Sequence, residues 1–425
     1  MASLVASTRK RAACDFCDAC IAHIRPTRIR PHAHTTIAGR ASSSAPIQHA
    51  PRRALLEPRR TSQNARHFRH LSTSLGTSVT SPEPAGLIQL TSRRLISLSG
   101  ADAAKFLHGL VTNNVDQLSR SPFYTAFLDA RGRVLWDVFI WPAVDEHWAC
   151  QIEVDANEVE SLTKHLRKHK LRSKITIRPV GDDELRVWAD ISGTQPEDLP
   201  LSTRSIKDPR SPRMGTRYLL DASYEPQERQ SMQSYRRWRY INGVAEGQEE
   251  ILRESALPME SNIDLSRGID FRKGCYVGQE LTIRTKHTGV VRKRILPIQL
   301  YRKGEQPPSA EPDEDFLAAH SPTGWDGEVD SGTDIKELDA DGNIKKGRAT
   351  GKFVAAEANL GLALCRLEMM TSWRVTAEGG SLRPGAEFGV QGKNGELIRI
   401  KSHVQPWMRE REKELWDKGR PQLAK

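Results

Sequence analysis

Cysteine and long apolar runs are both scarce in this sequence. The 425-residue chain has six cysteines, which are too few for a fold held together by disulfides. No stretch approaches the roughly 18 consecutive apolar residues that a membrane-spanning helix requires. At roughly 150 residues per domain, the chain is long enough for two or three globular domains.

Acidic residues are nearly missing from the N-terminal segment. Residues 1–82 contain 13 Arg and Lys but only three acids, and they are rich in Ser, Thr and Ala. This composition is typical of a mitochondrial transit peptide. Because Arg69-His70-Leu71-Ser72 resembles a matrix-protease site, we predict a transit peptide over residues 1–71 and a linker over residues 72–86. A basic tail that binds RNA is the alternative.

Basic residues are correspondingly rare in one later segment. Residues 303–342 carry twelve acids against Lys303 and Lys336, which predicts a solvated, disordered insertion. The basic leader and this acidic insertion cancel, so the net charge of +11 belongs to the remaining body. Such a body suits an anionic small ligand or acidic protein partners at least as well as RNA.

The hydrophobic pattern of the body predicts an α+β protein. An apolar helix face is formed by Ala103, Phe106, Leu107, Leu110 and Val111, and a β-hairpin by residues 126–141 with a turn at 129–132. The mixture of strands and helices predicts α+β layers and not a long parallel sheet, and we expect residues 87–290 to form an α+β region of two subdomains. Short strands between glycines predict a β-barrel-like domain over residues 291–302 and 343–405. The high charge of residues 406–425 predicts a C-terminal extension with an exposed helix.

Two stretches of this body carry polar groups that could have a functional role. Asp137 shares a strand face with Leu135, Phe139 and Trp141, so its carboxylate must find a partner or face a cavity. This carboxylate could form a structural salt bridge with an arginine, or it could contact a ligand, and the sequence does not distinguish the two. Residues 235–240 interleave aromatics with arginines, which could stack on RNA bases or form an ordinary amphipathic helix.

Residues 268–289 hold the strongest chemical signal. Cys275 follows Arg272 and Lys273 and is expected to precede a helix over residues 276–286, a setting that lowers the pKa of a thiol. Such a thiol could be a nucleophile, a metal ligand or a redox sensor, or else a buried inert cysteine. Cys275 has no C-x-x-C partner, and Cys150 and Cys365 fall at apolar strand-like positions, so a self-contained zinc or four-cysteine site is not predicted. A cluster shared with a partner's ligands stays open.

The octapeptide KGCYVGQE, residues 273–280, closely resembles the signature of the YgfZ-type folate-binding proteins, which are paralogues of the glycine-cleavage aminomethyltransferase. The resemblance extends to residues 106–114, 257–260 and 268–271 and covers most of residues 87–400. It implies an aminomethyltransferase-like folate-binding fold, a multi-domain ring with a central channel and a C-terminal β-barrel-like domain. With a mitochondrial leader, the chain is most similar to the iron–sulfur cluster assembly members of this family.

For such a member, the resemblance implies [4Fe–4S] cluster maturation for aconitase-type and radical-SAM enzymes such as lipoate synthase in the mitochondrial matrix. It implies A-type cluster carriers and apo-enzymes as partners, bound tetrahydrofolate, and a transient [4Fe–4S] or [2Fe–2S] cluster. Cys275 and Lys273 would carry the chemistry, with Cys275 as a transient cluster ligand and Lys273 stabilising the anion. The expected folate contacts are Asp137, Tyr276, Gly278, Gln279 and Glu280.

Two other functions stay open at the level of sequence. True aminomethyltransferases carry a pair of aspartates where this chain has Trp136-Asp137, and they lack the signature cysteine, which argues against glycine cleavage. A folate-dependent one-carbon enzyme is nevertheless one alternative, and a tRNA-modification factor is the other. We expect an assembly factor without independent turnover, and neither a membrane nor a nucleic acid as its partner.

Overall fold

The computed structural model describes residues 86–144, 148–194, 196–305, 307–308, 328–376 and 380–416. The predicted transit peptide and nearly all of the predicted linker therefore lie outside the described residues. So do residues 309–327 of the predicted insertion and the end of the predicted C-terminal extension. No helix within the described ranges is long and apolar enough to cross a membrane.

A five-stranded antiparallel sheet forms the first part of the α+β region. Its strand order is β3 (Phe123–Leu128), β4 (Val134–Val144), β5 (Trp148–Asp155), β2 (Arg93–Ser99) and β6 (Thr176–Pro179). Helices α1 (Ala103–His108) and α2 (Val159–His169) contribute apolar side chains to the core beneath this sheet. The predicted hairpin is confirmed as β3–β4, and Asp129 closes its turn by accepting hydrogen bonds from the backbone N–H groups of Arg131 and Arg133.

A second, four-stranded sheet has the order β1 (Ile88–Gln89), β7 (Leu185–Asp190), β9 (Thr216–Asp221) and β8 (Arg204–Lys207). It is followed by helix α3 (Met232–Ile241). A long irregular segment then leads to helix α4 (Gln279–Thr288) and passes the hairpin, because Val134 and residues 254–256 exchange backbone hydrogen bonds.

Helix α3 contains the aromatic and basic stretch that could have stacked on RNA bases. Tyr235, Arg239 and Tyr240 are buried, and the Arg239 guanidinium donates two hydrogen bonds to Glu250, at 2.6 and 2.9 Å. The two tyrosine rings and the arginine charge therefore lie in the protein interior. The interpretation of this stretch as an amphipathic helix is the correct one.

The C-terminal domain is a closed antiparallel barrel, which confirms the predicted β-barrel-like domain. Its strand order is β10 (Lys293–Tyr301), β13 (Leu360–Arg366), β12 (Gly351–Glu357), β11 (Asp334–Glu337), β14 (Phe388–Gln391) and β15 (Leu397–Ser402). A short helix α5 (Leu367–Met370) follows β13.

The prediction of disorder is wrong for the end of the acidic segment. Strand β11 lies within residues 303–342 and completes the barrel. One apolar side chain is enough for this, because Ile335 is fully buried while its neighbour Asp334 points outward and pairs with Lys352 at 2.9 Å.

The C-terminal helix α6 (Pro406–Trp416) also differs from the exposed helix that its charge suggested. Trp407, Met408 and Trp416 are buried, and the Arg411 guanidinium donates to the carbonyls of Pro209 and Leu265, both at 2.6 Å. Because these apolar side chains are buried and Arg411 bonds to the body, this highly charged helix packs against the body instead of projecting from it.

Candidate functional site

The two sequence motifs at residues 106–114 and 267–280 fold together into one unit, which we call the signature platform. Backbone hydrogen bonds join Val277 to Gly109 and Asp270 to Thr112, both at 3.1 Å. The Thr112 hydroxyl donates to the carbonyl of Gly268 at 2.7 Å. More than 150 positions separate these partners in the chain, so the platform is a product of the tertiary fold.

The side chain of Lys273 holds the two segments of the platform together. Its Nζ donates to the carbonyls of His108, Val111 and Asn113 at 2.6, 2.7 and 2.9 Å, and it lies 4.8 Å from the centre of the Tyr276 ring. Burial lowers the pKa of Lys273 to about 8, against the opposing charges of Asp270 and Asp116. An ammonium group has three N–H donors, and all three are used here. The geometry therefore assigns Lys273 to holding the backbone and leaves no N–H to stabilise the thiolate of Cys275.

Cys275 is exposed on the surface of the platform. The other described cysteines, Cys150 and Cys365, are buried, and burial raises the pKa of both thiols well above the usual value. Within the described ranges, no group of three or more His, Cys, Asp and Glu side chains is arranged to hold a metal ion. This part of the chain thus presents one accessible thiol.

The predicted helix start beside Cys275 is wrong. Helix α4 begins at Gln279, so Cys275 lies four positions before it, outside the first turn. The reason is Gly278, whose φ of +80° places it in the left-handed region and interrupts the helical path. The helix dipole therefore does not act on the thiol as the sequence suggested.

Gly278 is used for close contact with the β3–β4 hairpin, where the sequence predicted an approach to folate. A Cβ at this position would lie 2.3 Å from the carbonyl oxygen of Asp129. Gly132 in the hairpin turn is equally crowded, because its Cβ would lie 2.8 Å from the Cβ of Leu281 and 3.0 Å from the carbonyl oxygen of Gly278. The two glycines let the platform and the hairpin touch backbone to backbone.

The remaining signature residues support this arrangement. Tyr276 is buried, which raises the pKa of its phenol to about 12, while the neighbouring Thr282 hydroxyl acts in the opposite direction. The Gln279 side chain accepts a hydrogen bond from the backbone N–H of Tyr276 at 3.3 Å. Glu280 is exposed in the first turn of α4.

Asp137 is fully buried in a network of charged side chains between the two sheets. Its Oδ2 lies 3.6 Å from Nη1 of Arg93, and its Oδ1 accepts a hydrogen bond from the backbone N–H of Gly247 at 3.0 Å. Arg93 also pairs with Glu153 at 3.1 Å. The structural salt bridge, which was one of the two readings of Asp137, is therefore present.

This network extends across both sheets. Arg217 on β9 bonds Glu153 on β5 and, at 2.6 Å, Glu246. Burial disfavours the charged form of Glu246 and so raises its pKa. The combined charges of the neighbouring Arg217 and Arg210 have the larger effect and hold the pKa of Glu246 well below its usual range. The sequence offered no signal for these partners, because Arg217 and Glu153 are 64 positions apart.

Several buried polar atoms near Asp137 bear on whether a folate could fit there. Within the described part of the chain, Asp137 Oδ2, Arg93 Nη1 and Gln248 Oε1 are buried without a hydrogen-bond partner. Asp137 Oδ2 and Arg93 Nη1 face each other in the 3.6 Å ion pair, and together with Gln248 Oε1 they retain the acceptor and donor capacity that a pterin ring can satisfy. The residues present are thus chemically compatible with the pterin of a folate.

The second carboxylate of the aminomethyltransferases has no equivalent at the neighbouring position. Trp136 is buried, and its indole N–H donates to Glu158 at 2.8 Å. This position therefore serves the packing of the sheet and cannot exchange protons with a substrate.

Comparison with known proteins was made for sequence and for structure. Residues 292–387 match the family model described as the CAF17 C-terminal β-barrel domain. The chain is 45% identical over 396 residues to a protein of Phaeosphaeria nodorum called "Iron-sulfur cluster assembly factor IBA57 homolog, mitochondrial", covering 88% of this chain and 95% of the relative. The protein of the same name from Pyricularia oryzae is also 45% identical, covering 77% of this chain and 85% of the relative.

A solved structure with the same fold is the glycine cleavage system aminomethyltransferase T from Bartonella henselae. It superposes with a TM-score of 0.52 over 77% of this chain and 87% of that chain, at 12% sequence identity. This likeness establishes the aminomethyltransferase-like fold alone. The identities of 45% over most of both chains show that this chain belongs to the family of mitochondrial iron–sulfur cluster assembly factors represented by the IBA57 homologues, and the matching barrel domain agrees with this.

Proposed function

We propose that the chain holds an iron–sulfur cluster transiently between Cys275 and the ligands of a partner protein. The observation that carries this proposal is the one exposed thiol among the described residues, which lies on a platform fixed by backbone contacts and by Lys273. Clusters of the [2Fe–2S] and [4Fe–4S] types are usually held by four thiolates. One thiolate from this chain leaves the remaining positions to a partner, and an A-type cluster carrier has the required chemistry.

The steps that this chain performs are simple. Cys275 loses its proton to solvent as its sulfur bonds to iron, because a thiolate and not a thiol is the ligand. Lys273 and Gly278 keep the loop in place against α1 and the hairpin, so that the thiol is presented without first ordering the backbone. The cluster is cargo, and the clients are [4Fe–4S] enzymes of the aconitase and radical-SAM types in the mitochondrial matrix.

Complementation of a strain that lacks the gene tests this proposal. Cys275→Ser should restore neither aconitase activity nor protein lipoylation, while its melting temperature stays within a few degrees of the wild-type value. Cys150→Ala is the matched control, because it removes a buried cysteine, and it should restore both activities. Full rescue by Cys275→Ser would overturn the role of the thiol.

Tetrahydrofolate binding near Asp137 is the second part of the proposal. Support comes from the buried Oδ2 of Asp137, Nη1 of Arg93 and Oε1 of Gln248, which would bind and orient the polar edge of the pterin. Bound tetrahydrofolate would supply a reduced ring able to donate electrons or carry a one-carbon group. The folate contacts expected of Tyr276, Gly278, Gln279 and Glu280 stay predictions.

Calorimetry with 5-formyltetrahydrofolate tests the folate part separately. Asp137→Asn keeps the size of the side chain and removes its charge, so we expect its affinity to fall by about tenfold or more. The matched control is Asp182→Asn, whose side chain is 74% exposed and should not affect binding. An absence of binding to the wild type, or equal affinity in Asp137→Asn, would refute folate binding here and leave the Cys275 test unaffected.

A further inference from the structure

A cavity of about 330 Å³ lies between helix α4, residues 257–260 and the barrel. We call it the α4 cavity. Its volume falls within the range of small-molecule sites. One part of its wall is apolar and consists of Leu257, Pro258, Met259, Leu281, Val290 and Val291.

The polar part of the wall is strongly cationic. It contains Arg292, Lys293, Arg348 and Arg366 against one carboxylate, that of Glu260. Glu260 pairs with Lys293 at 3.0 Å, so the three arginines are not matched by any acid in the wall.

Two of these arginines lie close to each other. Arg366 is half-buried at the end of β13, where its Nε donates to the carbonyl of Ala349 at 3.1 Å. Burial and the charge of Arg348 both lower the pKa of Arg366, and Glu260 compensates only in part. Placing like charges together at the edge of a cavity costs free energy, and an anion bound between them would offset that cost.

The observations select the chemistry of the occupant. Guanidinium groups bind carboxylates and phosphates through paired, charge-assisted hydrogen bonds, and the apolar wall favours a ligand with a hydrophobic body. We propose that the α4 cavity binds a small organic anion with at least two negative charges, carried by carboxylate or phosphate groups, and an apolar core. This site is separate from the thiol and needs no role for Cys275.

Isothermal titration of the full-length chain with three aromatic probes tests the proposal. Isophthalate supplies two carboxylates, phenyl phosphate supplies a phosphate dianion, and benzyl alcohol is uncharged. We expect at least one dianion to bind, with an affinity that falls as sodium chloride is raised, and benzyl alcohol not to bind. Tighter isophthalate would identify a carboxylate ligand, and tighter phenyl phosphate a phosphate ligand. Failure of both dianions, or equal binding of benzyl alcohol, would overturn the proposal.

Single-charge variants then locate the site. Arg348→Gln and Arg366→Gln should each weaken binding of the dianion by about tenfold or more, because each removes one charged partner. Arg348 is exposed, so its variant loses charge without loss of packing and stays informative if Arg366→Gln folds poorly. Arg284→Gln is the matched control, since Arg284 is an exposed cation of α4 outside the cavity wall. Unchanged affinity in Arg348→Gln, or an equal loss in Arg284→Gln, would contradict the assignment.

Discussion

At the scale of single residues, Lys273 shows how a side chain next to a reactive group can have a structural task. A lysine beside a cysteine suggests charge stabilisation of a thiolate, and the sequence supports that reading. The three backbone carbonyls that surround Nζ belong to residues 160–165 positions away in the chain. No local pattern could have revealed them.

Replacing Lys273 by Met should therefore act on stability first. The variant leaves three partly buried carbonyls without their donor, and we expect the free energy of unfolding to fall by about 1–3 kcal/mol. Urea unfolding measures this. Arg272→Met is the control, because Arg272 is exposed and its replacement should cost less than about 0.5 kcal/mol. A Lys273→Met variant as stable as the wild type would contradict the anchoring role.

At the scale of elements, the beginning of α4 depends on one glycine. Gly278 has a φ of +80° and no room for a Cβ, whereas Gly274, four positions earlier, has no neighbour within 4 Å of such an atom. The two glycines of one short loop thus have opposite tolerance to a methyl group. The sequence alone treats them alike.

The matched pair Gly278→Ala and Gly274→Ala turns this contrast into a measurement. Gly278→Ala should lower the free energy of unfolding by about 2 kcal/mol or more, through left-handed strain and a clash with the hairpin. Gly274→Ala should change it by less than about 0.5 kcal/mol. Equal effects in chemical denaturation would show that the platform does not rest on the hairpin.

Helix α2 packs on the first sheet through a histidine that should make this contact sensitive to pH. The ring of His165 lies 5.1 Å from that of Trp136 and 4.3 Å from that of His169. Burial lowers the pKa of His165 to about 4, and the charges of His169, Lys168 and Arg253 act in the same direction. The unfolded chain has a pKa near 6.5 at this position.

The unfolded state therefore binds more protons at His165 between pH 6.5 and pH 4, so the free energy of unfolding falls as the pH drops through this window. His165→Gln removes this contribution and should flatten the pH dependence. Urea unfolding at pH 7 and pH 4.5 measures the difference, with the exposed His287→Gln as a control that keeps the wild-type slope. A His165→Gln variant with an unchanged slope would exclude His165 as the source.

Local patterns predicted most of the elements but missed those that depend on distant partners. Alternation gave the β3–β4 hairpin and helical spacing gave α1, because both signals lie within a few residues. Local patterns do not predict strand β11, because it contains two acids and only one inward-facing apolar residue, Ile335. The barrel around it supplies the rest of its stability. The packed face of α6 was missed because its charges dominate its composition.

At the scale of the whole molecule, the sequence identified both halves of the platform as family motifs but could not show that they touch. It also showed that Asp137 needs a partner. It could not identify Arg93, 44 positions away, or the chain of contacts through Glu153 and Arg217 that joins the two sheets. Removing one member of a buried pair of this kind typically costs about 3–5 kcal/mol, because the remaining charge is left unpaired, so single substitutions in the network should destabilise the scaffold on which the thiol is presented.

The central proposal is that Cys275, the one exposed thiol among the described residues, shares a cluster with a partner protein. The most direct measurement is Mössbauer spectroscopy of the full chain mixed anaerobically with an iron-57-labelled [2Fe–2S] A-type carrier, for the wild type and for Cys275→Ser. We expect a stable complex whose iron sites differ from those of the carrier alone, and the loss of this difference in Cys275→Ser. Identical spectra for the wild type and Cys275→Ser would contradict it.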